Sequence, residues 1–245
     1  QQQQDPGGPV VVEFQAILGE RHDFVKLEIT GHRYFDLATL RERMYLQPKS
    51  VQFRRGRFSR SLLGSDIASI EDLYRSNGFL AARVEARFED DYLGKPGEVA
   101  VFLNIEEGPQ TLVSALRITG NTSLAAETFR DRLSSVEGQP FSELNAAGDR
   151  DLILAHYFSE GFPDARLEWK QTPGPEPHRV ALEYALQEGR RQFVHQVIVD
   201  GYQRTREAVI RRQIAVYPSE ALAQGAVIES QRRLYDLGIF SKINV

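Results

Sequence analysis

Cysteine is absent from the 245 residues, which excludes a disulfide framework, a thiolate zinc site and a cysteine nucleophile together. No run of eighteen or more apolar residues occurs, so no segment is suited to cross a bilayer as a helix. A basic excess is missing too: net charge is −4, and nothing overall would hold a nucleic-acid backbone by counterion release, so no nucleic acid is expected as a partner. The Gly-x-Ser-x-Gly nucleophile elbow and both glycine-rich phosphate loops are lacking. The five histidines, His22, His32, His156, His178 and His195, show no close ligand spacing. No catalytic residue, cofactor or metal is therefore expected, and the chain does not read as an enzyme. The opening Gln1–Pro9 has neither the basic nor the apolar part of a secretory signal and reads as a tail.

With 41% hydrophobic and 26% charged residues, the composition suits folded domains rather than long disorder. The dominant pattern is a repeat. Leu27-Glu28-Ile29-Thr30-Gly31, Leu116-Arg117-Ile118-Thr119-Gly120 and Val197-Ile198-Val199-Asp200-Gly201 are alternating runs halted at glycine, recurring after 89 and then 81 residues. Each predicts a strand ending in a turn. Leu40, Phe129 and Ile210 follow nine residues later, and Met44, Leu133 and Ile214 four after those. That spacing puts apolar side chains on one helix face. Asn121, Thr122 and Thr205 are the expected caps.

A second helix is expected over Ser65–Tyr74, Ser142–Tyr157 and Ser219–Tyr235, closing at Gly78, Gly161 and Gly238 with an aromatic beyond. Glycine there suits a left-handed cap. Alternation at Ala82, Val84, Ala86 and Phe88 and at Leu167 and Trp169 predicts half-buried strands. Each is followed by a turn and a second alternating run, Val99 to Ile105 and Val180 to Leu186, so each copy closes with a hairpin.

A glycine-ended strand, two helices, a tyrosine-to-glycine close and a hairpin, written in tandem from Asp23 onward, resemble the POTRA (polypeptide-transport-associated) modules of BamA/TamA-type outer-membrane assembly proteins. Thr205–Arg212 with Arg232–Phe240 is the stretch most similar to the module next to the membrane barrel. The resemblance implies an α+β tandem array of β-α-α-β-β modules, each a three-stranded sheet with two helices on one face. The expected divisions are 1–22, a tail plus the closing strand Val10–Ile17 of a preceding module; 23–109; 110–190; and 191–245, an incomplete module whose last strand is absent. The resemblance also implies a periplasmic scaffold, tethered to the outer membrane by a barrel outside this chain. That scaffold would receive unfolded outer-membrane polypeptides or dock accessory envelope proteins. Two rivals keep part of this: a two-partner secretion transporter, and an envelope scaffold without a barrel.

Client pairing with a sheet edge is the physical route expected. Arg83, Glu85 and Arg87, and Arg166, Glu168 and Lys170, mark the candidate edges; the alternative is a solvated face whose mixed charges discourage self-association. Arg54, Arg55, Arg57 and Arg60, in the longest inter-helix connection, and Arg211, Arg212, Arg232 and Arg233, in the last copy, are candidate contacts for a partner or lipid surface. Ordinary surface pairing is the alternative for both. Gly31, Gly120, Gly201, Gly78, Gly161 and Gly238 are expected to be structural.

Overall fold

A computed structural model describes residues 22–245; the expected closing strand Val10–Ile17 and the rest of the 1–22 segment, His22 apart, lie outside the described residues. The described chain divides into two compact units. One comprises the described residues up to Ile70 with Val84–Ile105, the other Glu71–Arg83 with Glu106–Val245.

The first copy runs β1 (Asp23–Thr30), α1 (Leu37–Glu42), α2 (Arg60–Arg75), β2 (Arg83–Asp90) and β3 (Glu98–Glu106). The second runs β4 (Leu112–Thr119), α3 (Glu127–Arg130), α4 (Glu143–Ser159), β5 (Arg166–Pro173) and β6 (Arg179–Gln187). The third copy holds α5 (Glu207–Arg211) and α6 (Gln224–Asp236). The protein is α+β, with two three-stranded mixed sheets ordered β1-β3-β2 and β4-β6-β5.

In both sheets the closing strand is central. It pairs in parallel with the opening strand, Ile29 opposite Leu103 and Ile118 opposite Tyr184. β5 and β6 pair antiparallel, as the hairpin requires. The opening strands share a register shift at the same place in the repeat, between Phe24 and Lys26 and between Val113 and Ala115. The duplicated bulge shows that the repeat extends to backbone irregularities.

The second copy's core joins every element around Leu116, Phe129, Leu133, Ile153, Tyr157, Phe162, Leu167, Tyr184 and Leu186. Trp169 is half-buried and meets Phe141 at 6.5 Å between ring centroids. In the first unit Phe24, Leu27, Leu40, Met44, Ile70, Val99, Val101 and Leu103 are buried. The expected inward row of β2 holds only at Val84; Ala86 and Phe88 are exposed, with the Arg60 guanidinium 5.1 Å from the Phe88 ring.

Several sequence expectations are corrected. Val197–Gly201 and Phe240–Val245 form no strand. In the other copies the opening strand pairs only with the central closing strand, which residues 191–245 do not supply. The second helix of the first copy starts after Ser59, whose Oγ accepts from Leu62 N, while Ser65 sits inside it. In the last copy α6 starts after Ala223, and Ser219 has a φ of 70°. Ser142 caps α4 as expected, accepting from Asn145 N.

Asn121, Thr122 and Thr205 cap nothing; Asp36 caps α1 and Ala126 and Arg206 precede α3 and α5. Tyr235 is not the counterpart of Tyr74 and Tyr157. It is 43% exposed, and Leu234, at 8%, takes the buried place four residues before the glycine.

Candidate functional site

An edge strand presents unpaired N–H and C=O groups, so the flanks of the two sheets decide what another chain can reach. On one side, each module closes its own flank. Phe24 N donates to Arg55 O (2.8 Å) and Phe24 O accepts from Lys49 N (2.6 Å). Gly56, at φ 75°, makes the close approach possible, since a Cβ there would lie 2.6 Å from Phe24 O.

The same device recurs at each period. Val113 N donates to Gln139 O (2.9 Å) and its carbonyl accepts from Gly138 N (2.7 Å). Val194 N donates to Glu220 O (2.9 Å) and its carbonyl accepts from Ser219 N (2.7 Å), although no sheet forms there. Glu137 adds a carboxylate acceptor for Leu116 N at 3.0 Å. The loop between the two helices thus covers the first half of β1 and of β4.

The other side belongs to β2 and β5, the outer strands opposite β1 and β4. They carry the sequence-predicted edge residues. Arg83, Glu85 and Arg87 are exposed on β2, and Arg166, Glu168 and Lys170 on β5. Arg87 pairs with Glu89 at 2.7 Å and lies 4.8 Å from the Phe102 ring; Lys170 pairs with Glu183 at 3.1 Å. Both rows are therefore charge-balanced, which leaves main-chain groups as the attraction for a further strand.

The basic sets separate. Arg54, Arg55 and Arg57 lie on the loop between α1 and α2 and Arg60 opens α2, all exposed, with Arg57 5.8 Å from the Tyr45 ring. In the last copy Arg211 pairs with Glu207 (2.6 Å), and Arg232 (2.9 Å) and Arg233 (2.8 Å) share Glu229. Arg212 is exposed on the same helix end. Three of those four cations are thus engaged with acids of their own helix.

The helix-closing glycines seat the following linker within the second unit. Gly78 (φ 88°) accepts at its carbonyl from Thr111 N, and Gly161 (φ 89°) from Gln192 N, both at 2.7 Å. A Cβ would meet Thr111 O or Gln192 O. Phe79 N and Phe162 N reach back to Tyr74 O and Tyr157 O at 3.0 Å, and the paired rings meet edge to face. Arg191 fixes the second linker, donating to Glu160 O at 2.8 Å and lying over Phe162 and Phe193. Gly238 (φ 66°) closes α6.

Buried acids are the residues sequence reading missed. Asp66 accepts from Tyr45 N and Leu46 N, both at 2.8 Å. Asp149 accepts from Ser134 N (2.6 Å), Ser135 N (2.9 Å) and Tyr184 Oη (3.0 Å). In the last copy a serine does this work one turn later in the helix, Ser230 Oγ accepting from Ala215 N at 2.8 Å. Glu188 accepts from Thr122 Oγ1 (2.7 Å), Ser123 N (2.8 Å), Ser123 Oγ (2.6 Å) and Tyr157 Oη (3.0 Å).

Burial pushes the Glu188 carboxyl up, but the donors from Ser123, Thr122 and Tyr157 outweigh it and hold the pKa at about 2. Burial, and then the hydrogen bond to Glu188 and its charge, raise the Tyr157 phenol. These acids bond main-chain and hydroxyl donors rather than open toward solvent, so they build the fold. Among the described residues no group of three or more His, Asp or Glu is arranged to hold a metal, and no helix is long and apolar enough to cross a membrane.

Comparison with known proteins gives one family and one fold. The POTRA family model, described as a surface antigen variable number repeat, matches residues 23–108 and 111–189. A Treponema pallidum protein provisionally named an outer membrane protein assembly factor is 22% identical over 240 residues, covering 96% of this chain and 28% of that protein. The outer membrane protein assembly factor BamA of Neisseria meningitidis is 18% identical over 232 residues, covering 92% and 29%. The chain thus spans under a third of the length of these relatives. Its fold matches the crystal structure of Haemophilus influenzae BamA POTRA3-5 with a TM-score of 0.52 at 21% identity, over 91% of this chain and 88% of that one.

Proposed function

The chain belongs to the POTRA family, and from that premise we propose that it is the periplasmic, non-catalytic scaffold region of an outer-membrane protein assembly factor, receiving unfolded outer-membrane polypeptides on its open sheet edges. Accessory envelope proteins are the second class of partner. The names of the similar proteins from Treponema and Neisseria support the outer-membrane setting.

One observation carries the client-receiving role. Both sheets keep β2 or β5 as an outer strand while the opposite flank is closed by the module's own loop. Pairing there would use main-chain hydrogen bonds, which do not depend on client side chains, so many sequences could be accepted. The mixed charges on Arg83, Glu85, Arg87, Arg166, Glu168 and Lys170 would discourage two such edges from pairing with each other when no client is bound. No bond-making chemistry is required of any residue.

Site-specific photocrosslinkers at positions 83, 85, 166 and 168 of the complete protein test this reading. Capture of nascent outer-membrane polypeptides from those positions, and not from the loop-covered flank at position 113, is the expected result. Equal capture from both flanks, or from neither, would remove the basis for edge pairing.

A further inference from the structure

We propose that the loop between α1 and α2 docks on an anionic phospholipid surface, its arginines meeting lipid phosphates and its apolar tip entering the interface. This goes beyond client pairing and uses none of the edge residues, so either reading can fail alone.

The repeat itself supplies the argument. All three inter-helix loops close a flank through the same two main-chain hydrogen bonds, at Phe24, Val113 and Val194. The loops between α3 and α4 and between α5 and α6, 131–142 and 212–223, do this with one arginine each, Arg132 and Arg212, and carry Asp131, Glu137 and Glu220. The first copy's loop is longer. Over 43–59 it holds Arg43, Lys49, Arg54, Arg55 and Arg57 and no acid, with Arg60 opening α2, in a chain whose net charge is −4. Closing the flank does not need this insertion or its charge.

The extra residues are held outward rather than left loose. Ser50 N donates to Phe53 O (2.9 Å), Phe53 N to Ser50 Oγ (3.1 Å) and Gly56 N to Phe53 O (3.0 Å). This turn projects Val51, which is fully exposed, with Phe53 and Tyr45 also exposed nearby. Arg54 and Arg55 follow directly. Lys49 is engaged by Asp23 at 2.7 Å, so the arginines are the cations left to meet an external anion.

An apolar tip ringed by arginines matches a membrane interface, where aromatic and aliphatic groups sit below the phosphates and cations beside them. A projecting loop also suits a fluid surface, which needs no shape complementary to it. A protein partner would instead need an acidic pocket to receive the tip, and that is the outcome to be separated.

The 245-residue chain is to be tested by co-sedimentation with phosphatidylcholine vesicles and with phosphatidylcholine–phosphatidylglycerol vesicles. Binding to the second kind only, weakened by salt, is expected. Arg54→Gln with Arg55→Gln should lower the partition about 25-fold, at roughly five-fold per surface cation. Arg232→Gln with Arg233→Gln should leave it unchanged. Val51→Trp in a Trp169→Phe background reports on the tip, whose emission should move to the blue on anionic vesicles. Circular dichroism checks that each variant is folded. Equal binding by the Arg54/Arg55 variant, no binding by the parent chain, or an unmoved Trp emission would each overturn the proposal. So would binding of a soluble acidic polypeptide in place of vesicles.

Discussion

Tyr157 donates a hydrogen bond of 3.0 Å to Glu188, fastening the end of α4 to the residue that leaves β6. Tyr74 and Glu107 repeat the contact at 2.8 Å. Both tyrosines are buried, so the bond forms where an unmade one is costly. Tyr157→Phe should lower stability by about 1–3 kcal/mol in urea unfolding. A double-mutant cycle with Glu188→Gln should show coupling of about 1 kcal/mol. Additive effects would mean the pair only coincides.

Acid should act through the same carboxyl. Its folded pKa, about 2, lies below the ordinary 4.5. A depressed folded pKa contributes stability that is fully present above about 4.5 and is lost as pH falls toward 2. Urea midpoints measured from neutral pH down to that range should fall less steeply for Glu188→Gln than for the parent.

Gly120 and Gly201 share a positive φ, 81° and 75°, but not their surroundings. A Cβ on Gly120 would collide with Leu186 O, as one on Gly31 would with Ile105 O, whereas Gly201 meets nothing within 4 Å. Gly201→Ala should therefore cost only the backbone strain, about 1–2 kcal/mol. Gly120→Val should cost clearly more and should speed amide hydrogen exchange in β4 and β6. Equal melting temperatures for the two variants would contradict this.

Asp149→Ala removes the acceptor for Ser134 N, Ser135 N and Tyr184 Oη together. With Ser135 and Tyr184 buried, a loss of about 2–4 kcal/mol is expected from thermal unfolding. Ser230→Ala frees one main-chain donor, Ala215 N, and should cost about 1–2 kcal/mol.

The repeat was legible because each copy rewrites the same local chemistry: strand-ending Gly31 and Gly120, stripe residues Leu40 and Phe129, closing pairs Tyr74-Gly78 and Tyr157-Gly161. Local spacing did not reveal that the last strand inserts between the first two. Parallel pairing joins residues such as Ile29 and Leu103 through the whole fold, and no short-range pattern records that. Tyr235 misled because it lies three residues before Gly238 rather than four. That single-residue difference rotates it off the buried face and hands the place to Leu234.

Asp66 and Asp149 could have been found. Each precedes its closing glycine by twelve residues inside an otherwise apolar face, an acid where burial would forbid one unless main-chain donors met it. The flank-closing loops were hidden for a different reason. Lys49 and Arg55, Gly138 and Gln139, and Ser219 and Glu220 act through their backbones, and backbone roles leave no residue signature.

A sheet shuttered on one side from within has a fixed capacity for added strands. Any visiting strand that runs alongside the full length of β1 or β4 would have to evict Arg55 or Gln139 from its hydrogen bond. If strands do pair with these sheets, occupancy should saturate at one for each sheet, on its β2 or β5 side.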